Sequence, residues 1–281
     1  MVLGLDPDPS RLWPQALRAA PAEAPVRERT ARAVVAHCRA AMDAAGGACV
    51  GVKLQLACFE RLGAPGWAAL KECADAAREL GLMVIADGKR GDVAHTAAAY
   101  AQALFGPTAT PWGDVPGLGA DAVTANPLLG RDALDPIVSA ARSAGAGTFV
   151  LVRTSNPGAE ELQDVPAGDP LRVRLARVVR ELGADGVGGC GLSDVGAVVG
   201  ATQPNLIAEL REQMPNAVFL LPGVGAQGGR VEALKPAFAP AKAAALVAAS
   251  RSIVGPALEA GLGSARAAAE RLRESAWKLT S

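Results

Sequence analysis

Eight short apolar runs alternate with longer segments of helical pattern, and this alternation constrains the possible folds more than any other feature. Most of the runs are continuously apolar, without regularly spaced polar residues. Parallel strands show this pattern because helices cover both faces of their sheet. The predicted strands comprise residues 2–5, 48–54, 83–86, 122–124, 148–152, 195–200, 217–221 and 244–248.

The segments between these runs are rich in Ala, Leu and Arg and predict helices. They comprise residues 27–45, 64–80, 93–104, 134–144, 170–182, 205–214, 231–237 and 258–278. One further segment, residues 106–119, contains recurrent Gly and Pro. This composition predicts a surface loop before the fourth strand.

Eight strands that are each followed by a helix indicate an α/β protein with a (β/α)8 TIM barrel. Barrels of this size commonly form one domain, so we expect a single domain over residues 1–281. The alternative architecture is an open doubly wound sheet. It is disfavoured because no Gly-x-Gly-x-x-Gly motif follows the first predicted strand.

The composition argues against several classes of partner. Lys plus Arg and Asp plus Glu both number 28, and the formal net charge is zero. This balance does not indicate nucleic acid or a membrane surface as a partner, and no apolar run approaches the roughly 20 residues of a membrane helix. The five cysteines lack C-x-x-C spacing, and the first residues do not predict a signal peptide. We therefore expect a cytoplasmic protein with reduced thiols.

The third predicted strand leads into a dense group of charges, Asp87, Lys89 and Asp92. Positions two apart in a strand face the same way, so Asp87 and Lys89 are expected to project together. Burying several charges costs free energy unless they are paired. In a barrel, catalytic residues collect at the carboxyl ends of the strands. The group therefore predicts a functional site.

Polar or charged side chains follow or end other predicted strands as well. They are Asp6, Lys53, Asn126, Ser155, Gln227 and Arg251. Taken singly, some have simple structural explanations: an Asp before a Pro is common in turns, and a Lys in a strand can extend its ammonium to solvent. These explanations weaken for the whole set, since separate solvated charges have no reason to gather at successive strand ends.

The last two strand ends indicate a phosphate site. Loops after strands seven and eight of TIM barrels often bind phosphate through backbone N–H groups. The four glycines within residues 223–229 allow a ligand to approach the backbone closely. Gln227 adds an amide donor, and Arg251 supplies a planar guanidinium suited to phosphate oxygens. Asp6 and Lys53 suit the hydroxyl groups of a sugar.

The ordered motifs resemble those of orotidine 5'-phosphate decarboxylases, in the longer bacterial branch whose active-site segment is similar to Asp-Ala-Lys-Arg-Gly-Asp. Here that segment is Asp87-Gly88-Lys89-Arg90-Gly91-Asp92. The Asp-x-Lys-x-x-Asp pattern alone is shared with related sugar-phosphate enzymes of the same fold, so the resemblance depends on the whole set. Its other members are Gly-Leu-Asp-Pro, Lys53, Thr-Ala-Asn-Pro-Leu-Leu-Gly, Thr-Ser-Asn-Pro-Gly-Ala, Pro-Gly-Val-Gly-Ala-Gln-Gly-Gly and Ser-Arg-Ser-Ile.

The resemblance implies the conversion of orotidine 5'-monophosphate to uridine 5'-monophosphate and carbon dioxide, the last step of de novo pyrimidine nucleotide synthesis. It implies no metal and no organic cofactor. By position in the motifs, Lys89 donates a proton to C6 of the pyrimidine, and Asp87 lies against the substrate carboxylate. Lys53 joins Asp87 and a ribose hydroxyl in an alternating Lys-Asp-Lys-Asp row.

The resemblance also assigns the remaining site residues. Asp6 binds the ribose, Ser155 contacts the pyrimidine, and Gln227 and Arg251 hold the phosphate. Asn126, at the end of the fourth strand, is expected to be a substrate-binding residue.

Two further residues indicate the oligomeric state. Asp92 and Thr96 are expected to reach into the active site of a neighbouring subunit, which predicts a homodimer with shared sites.

Two other functions are weighed against this one. A metal-dependent sugar-phosphate synthase or decarboxylase on the same barrel needs acidic ligands, commonly a Glu near the end of the second strand, where this chain has Lys53 and Gln55. A non-catalytic barrel that binds a phosphorylated ligand would tolerate the loss of Lys89 or Asp92, and both are present.

Overall fold

Eight parallel strands form a closed barrel in a computed structural model that describes residues 1–279. The barrel order is β1-β10-β9-β8-β7-β6-β3-β2, and β4 pairs with β5 in a separate antiparallel hairpin. The strands are β1 (Val2–Leu5), β2 (Gly51–Gln55), β3 (Met83–Arg90), β4 (Thr108–Thr110), β5 (Gly113–Val115), β6 (Ala122–Ala125), β7 (Gly147–Arg153), β8 (Val195–Val199), β9 (Phe219–Leu221) and β10 (Ala245–Ala249).

Helices connect the strands of the barrel. They are α1 (Pro14–Arg18), α2 (Val26–Ala45), α3 (Leu56–Glu60), α4 (Ala64–Glu79), α5 (Ala94–Phe105), α6 (Arg131–Ser143), α7 (Ala159–Gln163), α8 (Leu171–Gly183), α9 (Pro204–Gln213), α10 (Arg251–Ala260) and α11 (Leu262–Lys278). Short 3-10 helices occupy Gly46–Ala48, Ala184–Gly186, Val231–Phe238 and Lys242–Ala244. Within residues 1–279, no helix combines the length and the apolar character that crossing a bilayer requires.

The predicted TIM barrel is confirmed, and each of the eight predicted strands overlaps a barrel strand. Every residue of β1, β6, β8 and β9 is buried. This complete burial is the reason why these strands are almost entirely apolar, because a polar residue on either face loses its water and needs a partner, as the buried Thr124 of β6 has.

Three of the predicted connecting segments differ from the structure. Residues 106–119 were expected to form a loop, but they contain the β4–β5 hairpin. Residues 231–237 form a 3-10 helix containing Pro236, which cannot donate the backbone bond of an α-helix interior. The expected last helix, 258–278, is two helices separated by Gly261, whose φ of 82° is suited to a helix end.

Contacts within the chain define two compact units. The first comprises Met1–Gly88 and Ala248–Glu274, and it contains β1, β2, α1–α4 and α10. The second comprises Lys89–Val247 together with the residues from Ser275 onward, and it contains β6–β9 and α5–α9. A single domain over the whole chain stays a prediction.

A buried histidine lies in the first unit. His37 on α2 is 5% exposed, and its ring centroid is 4.3 Å from that of Trp13. The Trp13 backbone N–H donates to His37 Nδ1 at 3.3 Å. Burial lowers the pKa of His37 from 6.5 to about 4. The folded protein therefore keeps this imidazole neutral at pH values where it is charged in an unfolded chain.

Acidification should destabilise the protein through His37. Below pH 6.5 the unfolded chain binds a proton that the folded chain resists down to a pKa of about 4, so stability falls as the pH falls through this window. The loss amounts to at most about 3 kcal/mol. Urea unfolding of His37→Gln between pH 7 and pH 4 should show a flatter pH dependence than the wild type.

The exposed His95 provides the matched control. His95→Gln should keep the wild-type pH dependence of unfolding. Identical slopes in the His37 variant and the wild type would contradict the assignment.

Candidate active site

The centre of the candidate site is an ion pair between neighbouring barrel strands. Lys53 lies on β2 and Asp87 on β3, and the register places Gln55 opposite Asp87. Lys53 Nζ donates to Asp87 Oδ2 at 2.5 Å, and the two side chains are 9% and 6% exposed. Gln55, two positions after Lys53 on the same strand, accepts a longer bond from Nζ at 3.4 Å. This geometry agrees with the expected pairing of these two charges.

Asp6 extends the pair into a row of three charges. It follows β1, where the register places Gly4 opposite Lys53. Lys53 Nζ lies 3.7 Å from Asp6 Oδ1. Burial by itself would lower the pKa of Lys53, but the carboxylates of Asp87 and Asp6 outweigh it and raise that pKa. The Lys53–Asp87 part of the predicted row is therefore assembled, with an ammonium that stays charged, and Asp6 lies against the same ammonium.

Lys89 has an unusual backbone conformation. Among residues 1–279, Lys89 is the only non-glycine residue with a positive φ, and the value is 48°. Side chains rarely adopt this left-handed conformation, and such strain collects at functional sites. The Lys89 N–H donates to Thr124 Oγ1 on β6 at 2.9 Å, so a buried hydroxyl holds the strained turn.

The conformation of Lys89 contradicts the prediction, made from strand alternation, that Asp87 and Lys89 project together. β3 extends through Arg90, which is further than expected, but its backbone is not regularly extended at Lys89. The rule that residues two apart face the same way therefore does not apply to Asp87 and Lys89. Asp87 is buried and Lys89 is exposed. Sequence reasoning also missed Thr124, whose signal was a polar residue within a buried strand.

Asn126 follows β6 and is tied to the end of β3. Its N–H donates to the Arg90 carbonyl at 2.7 Å, and its Oδ1 accepts the Leu128 N–H at 3.1 Å. A Cβ on Gly91 would lie 2.4 Å from the Asn126 carbonyl oxygen, so this close approach requires glycine. The side-chain oxygen of Asn126 thus stabilises its own turn. A contact between Asn126 and substrate stays a prediction.

Asp92 and Thr96 flank the start of α5. Asp92 Oδ1 accepts the Val93 N–H at 2.8 Å, and Thr96 lies in the first turn of the helix. Both residues are half-buried in the single chain. Their expected contact with a neighbouring subunit stays a prediction.

Ser155 and Gln227 are brought together in the second unit. Ser155 Oγ donates to Gln227 Oε1 at 2.7 Å, although the residues come from the loops after β7 and β9. Gly223 and Gly228 have φ values of 100° and 89°, which favour glycine. A Cβ on Gly229 would lie 2.7 Å from the Gly223 carbonyl oxygen. The predicted glycine loop is therefore a folded turn with its backbone tightly packed.

A buried arginine that sequence reasoning missed supports the Ser155 loop. Arg153 ends β7 and is 2% exposed. Its Nε and Nη2 donate to the two carboxylate oxygens of Asp164 at 3.0 and 2.9 Å, and its Nη1 donates to the Thr154 carbonyl at 2.5 Å. The Thr154 N–H in turn donates to Gln163 Oε1 at 2.8 Å. These contacts fix the backbone immediately before Ser155.

Arg251 begins α10 and lines a cavity of about 500 Å3 in the first unit, together with Asp6 and Gln55. A Cβ on Gly4 would lie 2.7 Å from Ser250 Cβ, so glycine on β1 permits the close approach of Ser250, the residue before α10. Two predicted substrate-binding residues, Asp6 and Arg251, therefore face one cavity.

The charged row does not resemble a metal site. The carboxylates of Asp6 and Asp87 both lie against the Lys53 ammonium, which occupies the place a divalent cation would need. Among the side chains that the structure describes, which do not include that of Glu259, no group of three His, Cys, Asp or Glu is arranged to hold a metal ion.

Removing the Lys53 charge should strongly destabilise the fold. Lys53→Met keeps the aliphatic stem but leaves the buried Asp87 carboxylate without its ammonium. The free energy of unfolding, measured in urea, should fall by about 3–5 kcal/mol.

The matched control for this variant is an exposed lysine. Lys71 pairs with Asp75 on the surface of α4, and Lys71→Met should cost less than about 1 kcal/mol. Equal losses in the two methionine variants would refute the special status of the buried pair. Lys53→Met combined with Asp87→Leu should recover part of the loss.

Comparison with known proteins agrees with this geometry. Residues 3–269 match the model of the orotidine 5'-phosphate decarboxylase / HUMPS family. An orotidine 5'-phosphate decarboxylase of Rhodopirellula baltica is 42% identical over 256 residues, which cover 90% of this chain and 82% of the relative. That of Deinococcus radiodurans is 46% identical over 223 residues, covering 79% and 77%.

A solved structure leads to the same family. The structure of Leishmania donovani OMP decarboxylase superposes with a TM-score of 0.74 at 32% identity, covering 99% of this chain and 93% of that one. Sequence and fold agree over nearly the whole length, and the chain belongs to the orotidine 5'-phosphate decarboxylase / HUMPS family.

Proposed function

We propose that this chain is a carboxy-lyase that converts orotidine 5'-monophosphate to uridine 5'-monophosphate and carbon dioxide, the last step of de novo pyrimidine nucleotide synthesis. The relatives that match it over most of its length carry the name of this enzyme. The observation that carries the proposal is the buried Lys53–Asp87 pair, which precedes Lys89 on the same strand. Charges that formed only a surface ion-pair network would remain in contact with water, so the burial of this pair indicates a functional site.

The chemical problem is the electron pair left on C6. The bond between C6 and the carboxylate carbon breaks, carbon dioxide leaves, and both electrons remain on C6, where no adjacent carbonyl accepts them. The Lys89 ammonium stabilises this charge and then transfers a proton to C6, leaving UMP and a neutral amine that solvent reprotonates. This step needs no metal and no organic cofactor.

Asp87 acts on the carboxylate that leaves. An ammonium 2.5 Å from its oxygen favours the ionised form of Asp87. A fixed negative charge beside the substrate carboxylate disfavours the bound substrate and is relieved as carbon dioxide departs. Lys53 thus has a positioning role, since it holds Asp87 charged and in place.

The remaining assignments follow the family resemblance. Asp6 binds the ribose, Ser155 contacts the pyrimidine, and Gln227 and Arg251 each contact the phosphate. The bond from Ser155 to Gln227 supports this assignment, because it links a nucleobase contact to a phosphate contact before substrate binds. Binding energy from the phosphate, remote from C6, can then contribute to catalysis.

A homodimer with shared sites completes the proposal. Asp92 and Thr96 contribute to the site of the neighbouring subunit. Apolar side chains beside the site segments support this: Val93 is 59% exposed and Leu128 is 77% exposed in the single chain. A partner subunit that covered these side chains would remove their apolar surface from water, which is favourable. As an enzyme of nucleotide synthesis, the protein is proposed to act in the cytoplasm.

The decarboxylase activity is measured as the decrease in absorbance when orotidine 5'-monophosphate is consumed, with EDTA present. Lys89→Ala should lower kcat by at least about 10^4-fold, since it removes a general acid and a stabilising charge together, while UMP binding remains measurable. Lys71→Ala, on an exposed helix face, serves as the control and should retain wild-type turnover. Retained activity in the Lys89 variant would refute the assignment of Lys89 as the proton donor. Strong inhibition by EDTA would favour a metal-dependent enzyme.

Hybrid dimers test the shared site. Asp87→Ala and Asp92→Ala should each be nearly inactive, but mixing them should restore activity, because some hybrid dimers contain one site with both carboxylates intact. The activity is measured after native mass spectrometry of tagged subunits has shown exchange. If exchanged dimers stay inactive, Asp92 serves its own subunit.

A further inference from the structure

The cavity of about 500 Å3 in the first unit has a second arginine on its wall. Besides Asp6 and Arg251, it is lined by Arg11, which lies in the loop after β1. Its volume falls within the range of small-molecule sites. Arg11 belongs to none of the motifs that carry the family resemblance, and none of the assignments above gives it a role.

Neither guanidinium group forms a hydrogen bond or a close ion pair with a described side chain. Among the side chains that the structure describes, which do not include that of Glu259, Arg11 and Arg251 make no hydrogen bond, ion pair or ring contact, although the charge of Arg11 also acts on the Asp8 carboxylate. Arg32, on α2 of the same unit, is instead paired with Glu72 at 3.0 Å. Two unpaired guanidinium groups on one concave wall form a site for a doubly charged anion, because each offers a planar pair of N–H donors.

The carboxylates of this cavity have other partners. Asp6 lies against the Lys53 ammonium. Asp8 accepts from both the N–H and the hydroxyl of Ser10, at 3.0 and 2.8 Å. Asp6 and Asp8 therefore have closer partners than the arginines, and no hydrogen bond ties either guanidinium group to them, so the N–H donors of both arginines remain available to a ligand.

The backbone at Arg11 is fixed as well. Its N–H donates to the Asp8 carbonyl at 2.9 Å, which closes a turn over residues 8–11. A fixed base reduces the conformational entropy that a long side chain loses on binding.

The two remaining titratable wall groups, Cys38 and His37, add no charge. Cys38 is buried, and its pKa is raised well above the ordinary value by its hydrogen bond with Cys73 and by burial, so it stays a neutral thiol. His37 Nδ1 accepts the Trp13 N–H, and burial lowers the pKa of His37 to about 4. The neutral ring therefore carries its hydrogen on Nε2. The positive charge available to a ligand here comes from the two arginines.

We propose that Arg11 is a second phosphate-binding residue, which acts with Arg251 to hold the 5'-phosphate of the nucleotide. The inference rests on the proposed function, since it deepens the phosphate site of that enzyme. A phosphate monoester carries close to two negative charges at neutral pH, and the two guanidinium groups together neutralise them. Arg11 contributes to nucleotide affinity and takes no part in proton transfer.

The test compares Arg11→Gln with Arg18→Gln. Arg18 is an exposed arginine at the end of α1, outside the cavity. Arg11→Gln should raise KM for orotidine 5'-monophosphate at least about 10-fold, with a smaller change in kcat, and weaken UMP binding by a similar factor. Uridine, which lacks the phosphate, should bind both variants and the wild type equally. Arg11→Lys should recover part of the UMP affinity, because it restores the charge without the planar fork.

Several outcomes would overturn the proposal. UMP affinity in Arg11→Gln equal to that of the wild type and Arg18→Gln excludes a role for Arg11. Equal weakening of UMP and uridine shows that the variant changes the cavity wall and not a phosphate contact. Thermal unfolding of each variant without ligand checks that the fold is intact.

Failure of the proposed function gives a different result. A wild type that neither decarboxylates orotidine 5'-monophosphate nor binds UMP refutes that function. Inorganic phosphate then tests the cavity alone: it should raise the Tm of the wild type and of Arg18→Gln more than that of Arg11→Gln. Equal shifts in all three proteins overturn the Arg11 assignment.

Discussion

The buried ion pair between Lys53 and Asp87 is the interaction on which the rest of the site depends. Desolvating two charges costs several kcal/mol for each ion, and a short ion pair recovers this cost only with good geometry. Adjacent parallel strands provide that geometry, because the register of β2 and β3 fixes both side chains at the same end of the barrel. Asp6 then adds a second carboxylate to the same ammonium.

In the second unit, the backbone at and after Lys89 is shaped at a few positions with little freedom. Lys89 adopts a left-handed conformation whose N–H is held by Thr124, and Gly91 permits contact with the Asn126 backbone. Strained positions of this kind persist where the surroundings determine them. The side chain proposed to donate the proton thus extends from a backbone that the neighbouring strand holds in place.

Much of the fold could be predicted from the sequence because burial restricts the residue types of each strand, and this restriction is visible in a short stretch of sequence. A strand covered on both faces is mostly apolar, so β8, which is apolar throughout, is recognisable without tertiary information. The β4–β5 hairpin was missed because its residues are half-buried or exposed and carry no such pattern. The 3-10 conformation around Pro236 was missed because short helical segments of different type share the same apolar spacing.

Some residues of the candidate site could be identified from the sequence, and others could not. Asp6, Lys53, Asp87 and the glycines of residues 223–229 were identifiable, since charges and glycines at strand ends are unusual in sequence. Arg153 was not, because an arginine looks the same in sequence whether it is solvated or buried against Asp164. The contact from Ser155 to Gln227 joins residues 72 positions apart, which no local pattern records.

The sequence by itself determined the barrel class, the order of the strands and the residue types at their carboxyl ends, because periodicity and motif spacing are local properties. The tertiary structure decided which of those side chains meet. It paired Lys53 with Asp87 and Asp6, set Lys89 in a strained turn, and left Arg11 and Arg251 facing one cavity. Pairing, burial and strain arise from segments distant in the chain, and only folding brings those segments within the few ångströms over which such interactions act.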